Sequence, residues 1–111
     1  MVEITNELIQ QMVGRIVDTV APEQVILFGS HATGKARTDS DLDFLVVESE
    51  PFGAGHSRRK EMARLWAALA SFPVPKDILV YSREEVERWR DSSHHVVARA
   101  WREGRRLYER S

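Results

Sequence analysis

The segment Asp41-Leu42-Asp43-Phe44-Leu45-Val46-Val47 constrains this chain more than any other. Leu42, Phe44 and Val46 alternate with Asp41, Asp43 and Leu45, a period of two that predicts a β-strand. Residues i and i+2 of a strand share a face and lie about 6.6 Å apart, so Asp41 and Asp43 point the same way and their oxygens can converge on one divalent ion. Aspartate is depleted in strands, and a carboxylate pair in so apolar a run is costly unless a cation compensates it. Taken alone, a D-x-D pair more often marks the polar outer face of an exposed edge strand, so the rest of the chain has to decide.

Two further strands are expected. Gln24-Val25-Ile26-Leu27-Phe28 is a short run dominated by β-branched and aromatic residues that stops at Gly29, and Lys76 to Tyr81 is the third. Between and around them the period changes. Ile4, Leu8, Met12, Ile16 and Val20 fall four apart and form the apolar stripe of a helix over residues 3–20, closed by Pro22. A helix from about Arg58 to Ser71 has Met62, Leu65, Trp66 and Leu69 inward, and Pro73 and Pro75 stop it. Residues 49–57, with Pro51, Gly53 and Gly55, read as a mobile loop. Ser82-Arg83-Glu84-Glu85 has capping-box spacing, Ser93 is placed to cap the last helix, and Gly104 is placed to end it, leaving Arg105 to Glu109 as a strand or tail. This order predicts an α/β (α+β) fold with a small sheet of mixed direction flanked by helices. Periodicity does not give the strand order.

Length and composition bound the rest. The 111 residues suit one domain over residues 1–111 and not two with separate cores. With 42% hydrophobic and 30% charged residues the chain is expected to be globular, and with no cysteine any metal must sit on oxygen or imidazole. No apolar run approaches the roughly 20 residues of a membrane span, so the cytoplasm is the default location. The net charge of −1 and the absence of a dense Lys/Arg face argue against strong nucleic-acid binding.

Just upstream of the aspartates lies Phe28-Gly29-Ser30-His31-Ala32-Thr33-Gly34, a strand that ends in Gly-Ser and turns toward a helix. Backbone N–H groups at such a turn make an anion site, glycine lets a phosphate approach the backbone, and Ser30 adds a hydroxyl. A phosphate cradle followed by a carboxylate pair is the minimum kit for a nucleoside triphosphate, because Mg²⁺ prefers a few carboxylates plus phosphate oxygens. At these residues the chain resembles the DNA polymerase β-like nucleotidyltransferase superfamily. Its signature is a hydrophobic residue before Gly-Ser, then D-x-D or D-x-E some ten residues on, then a third acid on a later strand; here these are Leu27-Phe28-Gly29-Ser30, Asp41-Leu42-Asp43 and Asp77. The minimal nucleotidyltransferases, often written G-S-x-A-R-G with x-S-D-h-D, are more similar still: Ala32, Gly34 and Ser40-Asp41-Leu42-Asp43 match, and the likeness runs over nearly the whole chain to its tail at Trp101–Glu109.

The resemblance implies a polymerase β-like fold, ATP as substrate, and two Mg²⁺ ions, with Mn²⁺ as a substitute. Asp41 and Asp43 would bridge both ions, while Asp77 would complete the site of the attacking hydroxyl and could accept its proton. Gly29 and Ser30 would bind the nucleotide. One departure is Thr33, which stands where many members have arginine. Larger relatives add a helical domain that presents the acceptor, so a second protein is expected here, either another copy or, as the resemblance implies, a small helical HEPN toxin to which AMP is transferred at a hydroxyl, typically tyrosine. The alternatives are a catalytically weak or inactive module that neutralises such a partner, and a small-molecule nucleotidyltransferase. Weaker candidates are expected to be structural: His31 facing solvent, His94-His95 too far apart around a helix to share a metal, Trp66, Trp89 and Trp101 as packing residues, and Arg58-Arg59-Lys60 as solvated surface.

Overall fold

The computed structural model describes residues 3–37 and 39–111. In chain order the elements are α1 (Asn6–Val20), β1 (Gln24–Phe28), α2 (Ser30–Thr33), β2 (Leu42–Glu48), α3 (Arg58–Leu69), β3 (Lys76–Ser82), α4 (Arg83–Trp89), α5 (Val96–Glu103) and β4 (Arg105–Glu109). The four strands form one sheet in the order β3-β2-β1-β4. β1 runs antiparallel to β2 and β4, whereas β2 and β3, joined through α3, are parallel. The expected mixed sheet flanked by helices is thus what forms, and the terminal segment is a strand paired to β1 rather than a free tail.

Strand parity distributes the core over two faces. Val25 and Leu27, Leu42, Phe44 and Val46, and Ile78 and Val80 meet Met12 and Ile16 of α1 and Leu65 and Leu69 of α3. On the opposite face Ile26, Leu45 and Val47 meet Val86 of α4 and Val97 and Ala100 of α5. Phe44 is fully buried, and burial of a side chain of that size stabilises the fold by about 1.5–3 kcal/mol. Among the described residues no helix is long and apolar enough to cross a membrane.

Local signals account for most helix ends. The Thr5 side chain accepts the Leu8 N–H at 3.1 Å at the start of α1, and Ala21 closes that helix in the left-handed region at φ 45°. Ser57 caps α3 by accepting from Lys60. The capping box of α4 forms in both directions, the Glu85 N–H donating to Ser82 Oγ at 3.2 Å and the Ser82 N–H to Glu85 Oε1 at 2.9 Å. Gly104 does follow α5, but at φ −78° it is no left-handed stop. Glycine fits there because a Cβ would collide with the Ala100 carbonyl and Ile26 Cγ2, so closely does the end of α5 approach β1.

Several expectations need correction. The cap of α5 is His95, whose Nδ1 accepts the Val97 N–H at 3.1 Å, and not Ser93; the imidazole is held against Trp89 by stacking at 4.6 Å. His94 and His95 therefore precede the helix instead of lying on it. Trp66 is 38% exposed, because the buried line of α3 runs through Glu61, Leu65 and Leu69 and leaves the tryptophan at its flank. Arg58 is not solvated surface: its guanidinium donates to the Val80 carbonyl at 2.7 Å, pairs with Glu85, and lies over the rings of Phe52 and Tyr81. Residues 49–57 connect β2 to α3 through a turn in which Gly53 and His56 exchange backbone bonds of 2.9 and 3.1 Å and the His56 side chain reaches back to the sheet.

Candidate active site

Everything singled out for chemistry gathers at one end of the sheet. β1 ends at Phe28, and Gly29 then adopts φ 75°, ψ −157°, a combination essentially restricted to glycine. A Cβ at this position would collide with Asp43 Oδ2, so the glycine turn and the carboxylate occupy adjoining space. Ser30 to Thr33 form the single turn α2, which Gly34 closes at φ 78° with its N–H on the Ser30 carbonyl. The first amides of a helical turn have no acceptor within it, which leaves those near Ser30 available to an outside anion.

Register supplies the rest. Asp43 lies opposite Phe28 of β1 and opposite Asp77 of β3. Asp41 sits one residue before β2, where the Leu42 N–H donates to the Pro75 carbonyl at 2.9 Å and so fastens the entry of β2 to that of β3. The loop from α2 into β2 is held by His31 Nε2 against the Ser40 carbonyl at 3.1 Å, with the Arg37 N–H on Ser40 Oγ at 2.8 Å. His31 is half-buried in this brace and not a free solvent-facing side chain. Asp41 and Asp77 are exposed, Asp43 is half-buried, and Asp77 Oδ1 accepts the Ile78 N–H at 3.0 Å.

Electrostatics single out Asp43. Burial pushes its pKa up first, and the charges of Asp77 and Asp41 push it further, against the opposing influence of His31. Among the described residues none of the three aspartates is within ion-pair distance of a lysine or arginine, whereas Glu23, Glu61, Glu84, Glu85 and Glu103 each pair with an arginine. A partly buried carboxylate beside two others, with no fixed cation, is an arrangement that a divalent ion relieves. Oxygen donors of this kind fit a divalent cation such as Mg²⁺, which Asp41, Asp43 and Asp77 would hold. The three do not yet converge: among the described residues the trio whose ligand atoms all lie within 4.8 Å of one another is Glu48, His56 and Glu61, at the other end of β2.

That second cluster was missed in the sequence. Two features pointed to it: Glu48 directly ends the apolar run Phe44 to Val47, and Glu61 lies four residues before Leu65 on the apolar stripe of α3. His56 Nε2 is 3.0 Å from Glu48 Oε1 and 3.2 Å from Glu61 Oε1. Burial, then the charge of Glu61, raise the Glu48 carboxyl to about 7 against the influence of His56. Burial works against a charged His56, but hydrogen bonds to the Pro51 carbonyl and to Glu48 and Glu61 outweigh it and raise its pKa.

The sequence matches the nucleotidyltransferase domain family over residues 9–108. The chain belongs to that family. No curated protein sequence matches it. Among solved structures, a protein from Sulfolobus solfataricus assigned to the nucleotidyltransferases superposes with a TM-score of 0.63 at 20% identity, over 94% of this chain and 79% of that one. A toxin–antitoxin structure with AMP-PNP gives 0.55 at 19% identity, over 96% and 76% of the two chains. The complex of a tri-AMPylated HEPN toxin of Shewanella oneidensis with its MNT antitoxin gives 0.54 at 15% identity, over 96% and 74%. At these identities the likeness concerns the fold, and the nucleotidyltransferase domain described here shares it with antitoxins of this kind.

Proposed function

We propose that this nucleotidyltransferase transfers AMP from ATP, with Mg²⁺ or Mn²⁺, to a hydroxyl on a small helical partner of the HEPN type, and that it serves as the antitoxin of the pair. The observation that carries the reading is the placement of Asp43 against both the Gly29 turn and Asp77. A triphosphate held at Gly29 and Ser30 would then adjoin the carboxylates. The fold shared with an MNT antitoxin complexed with a tri-AMPylated HEPN toxin supports the choice of acceptor.

In this reading Asp41 and Asp43 hold the metal and Gly29 and Ser30 orient the phosphates. Asp77, exposed at the start of β3, accepts the proton of the attacking hydroxyl at a carboxylate oxygen. When bound, two divalent ions would activate that hydroxyl and neutralise the triphosphate and the departing pyrophosphate. The hydroxyl oxygen forms a bond to the α-phosphorus, the bond to the bridging oxygen breaks, and pyrophosphate leaves. Thr33, in place of the arginine common in minimal nucleotidyltransferases, favours one second reading, a module that binds its partner without chemistry.

Incubating the chain with α-labelled ATP, Mg²⁺ and a helical partner encoded beside it tests both. Label is expected on the partner. Asp77→Asn is expected to abolish labelling and keep much of the ATP binding, while Asp41→Asn with Asp43→Asn loses both. If partner and ATP bind but no label transfers with either metal, the enzyme reading falls and the binding module stands. Label that survives Asp77→Asn keeps the enzyme and removes Asp77 from its role.

A further inference from the structure

We propose that Glu48, His56 and Glu61 form a second cation site, one that takes a zinc-class divalent ion and is separate from the aspartates. Glu48 ends β2 and Glu61 lies in the first turn of α3, so both project between the sheet and that helix. His56 closes the gap from the turn between them. Five residues separate Asp43 from Glu48 along the strand, which puts the two clusters about 16 Å apart and, by parity, on opposite faces of the sheet.

Three features point to a cation rather than to a hydrogen-bonded brace alone. First, Glu48 is only 5% exposed and its Oε2 has no hydrogen-bond partner, so a buried carboxylate oxygen is left unsatisfied inside the cluster. Second, two carboxylates face each other across a single imidazole, and among the described residues the one guanidinium paired to them, Arg64, bonds Glu61 Oε2 at 2.7 Å from a side chain that is 55% exposed and does not reach Glu48. Third, His56 Nδ1 lies 3.2 Å from the Pro51 carbonyl. The carbonyl can only accept, so Nδ1 carries a proton, and Nε2, which in the metal-free cluster donates to Glu48 and Glu61, is the nitrogen a cation would take on displacing that proton, the outer-shell arrangement usual for a metal-bound histidine. Glu50 Oε2, 4.0 Å from the same Nδ1 and mostly exposed, adds negative charge at the rim.

The donor set selects the ion. One imidazole and two carboxylates suit zinc and its neighbours, with a fourth position left for water. Magnesium prefers oxygen donors and keeps several waters, which a cluster with side chains only 6–13% exposed does not accommodate. The ion would tie the turn 49–57 to both β2 and α3.

The test uses EDTA-treated protein carrying Asp41→Asn and Asp43→Asn, so that the aspartate site is silent, titrated with ZnCl2 by calorimetry. One equivalent is expected to bind, and His56→Gln or Glu48→Gln added to that background is expected to weaken binding at least tenfold. No binding in the background, or binding unchanged by His56→Gln, overturns the proposal. Should these variants fail to fold, anomalous diffraction at the zinc edge from crystals of the unsubstituted chain soaked in ZnCl2 decides the question: a peak enclosed by Glu48, His56 and Glu61 is expected, and its absence there, whatever appears elsewhere, overturns the site.

Discussion

Replacing Glu48 by glutamine is expected to change how the stability of the metal-free protein depends on pH. In the folded chain the Glu48 carboxyl is raised from 4.5 to about 7 by burial and the nearby Glu61 charge. Below pH 4.5 it is protonated whether the chain is folded or not, and it contributes no penalty. Between 4.5 and 7 the unfolded chain has released the proton while the folded chain retains it, so stability falls as pH rises, and the loss is complete above 7. At about 1.4 kcal/mol per pH unit the gap corresponds to a loss on the order of 3 kcal/mol. His56, whose pKa is also raised, works in the same direction: it holds its proton in the folded state above its ordinary 6.5 and loses that contribution as pH rises through the folded value. Urea unfolding followed by tryptophan fluorescence from pH 4.5 to 8.5 in EDTA measures both curves. The wild type is expected to lose on the order of 3 kcal/mol relative to Glu48→Gln across this window, so that the variant gains its advantage at the alkaline end. Parallel curves would show that Glu48 ionises normally and that the reasoning from its burial is wrong.

Three further outcomes are expected. ATP binding measured by calorimetry should require Mg²⁺ or Mn²⁺, since the triphosphate and the Asp41–Asp43 pair repel each other without a cation between them; equal affinity in EDTA contradicts this. Gly29→Ala should abolish ATP binding and cost about 1–3 kcal/mol in chemical denaturation, because the residue sits at φ 75° and its Cβ would displace the Asp43 carboxylate; retained binding would place the phosphates elsewhere. Gly104→Ala should destabilise by a similar amount, about 1–3 kcal/mol, through overpacking against Ala100 and Ile26, with nucleotide affinity unchanged; a neutral effect on the unfolding midpoint would mean that α5 has room to move off β1.

Local periodicity was legible wherever one face of an element is apolar. The alternation at Leu42, Phe44 and Val46 gives β2, the four-residue spacing from Ile4 gives α1, and Ser82 with Glu85 gives the start of α4. The misreadings fall where a residue's setting depends on contacts that an apolar stripe or a capping residue type does not record. Trp66 is displaced from the buried line by Glu61, a charged residue that a stripe of apolar positions passes over. Arg58 is drawn inward by Val80 and Glu85, 22 and 27 residues away. His95 takes over the cap from Ser93 while its ring packs on Trp89. At the candidate active site the residue types and spacing of Gly29, Ser30, Asp41 and Asp43 were legible and Asp77 came from a resemblance, but the parallel register that sets Asp77 beside Asp43 belongs to the sheet and leaves no trace in either segment alone.

That register has a consequence for anyone recombining the domain. Asp43 and Asp77 are matched by the backbone ladder from Leu42–Lys76 to Glu48–Ser82 and by the Leu42 to Pro75 hydrogen bond, with no side-chain bridge between them. A slip of one residue would turn Asp77 to the far side of the sheet. Residues 42–82 therefore behave as one inheritable block: a chimera joined outside it carries the carboxylate pairing along intact, whereas a crossover within it must recreate a 34-residue alignment that neither parent strand encodes by itself.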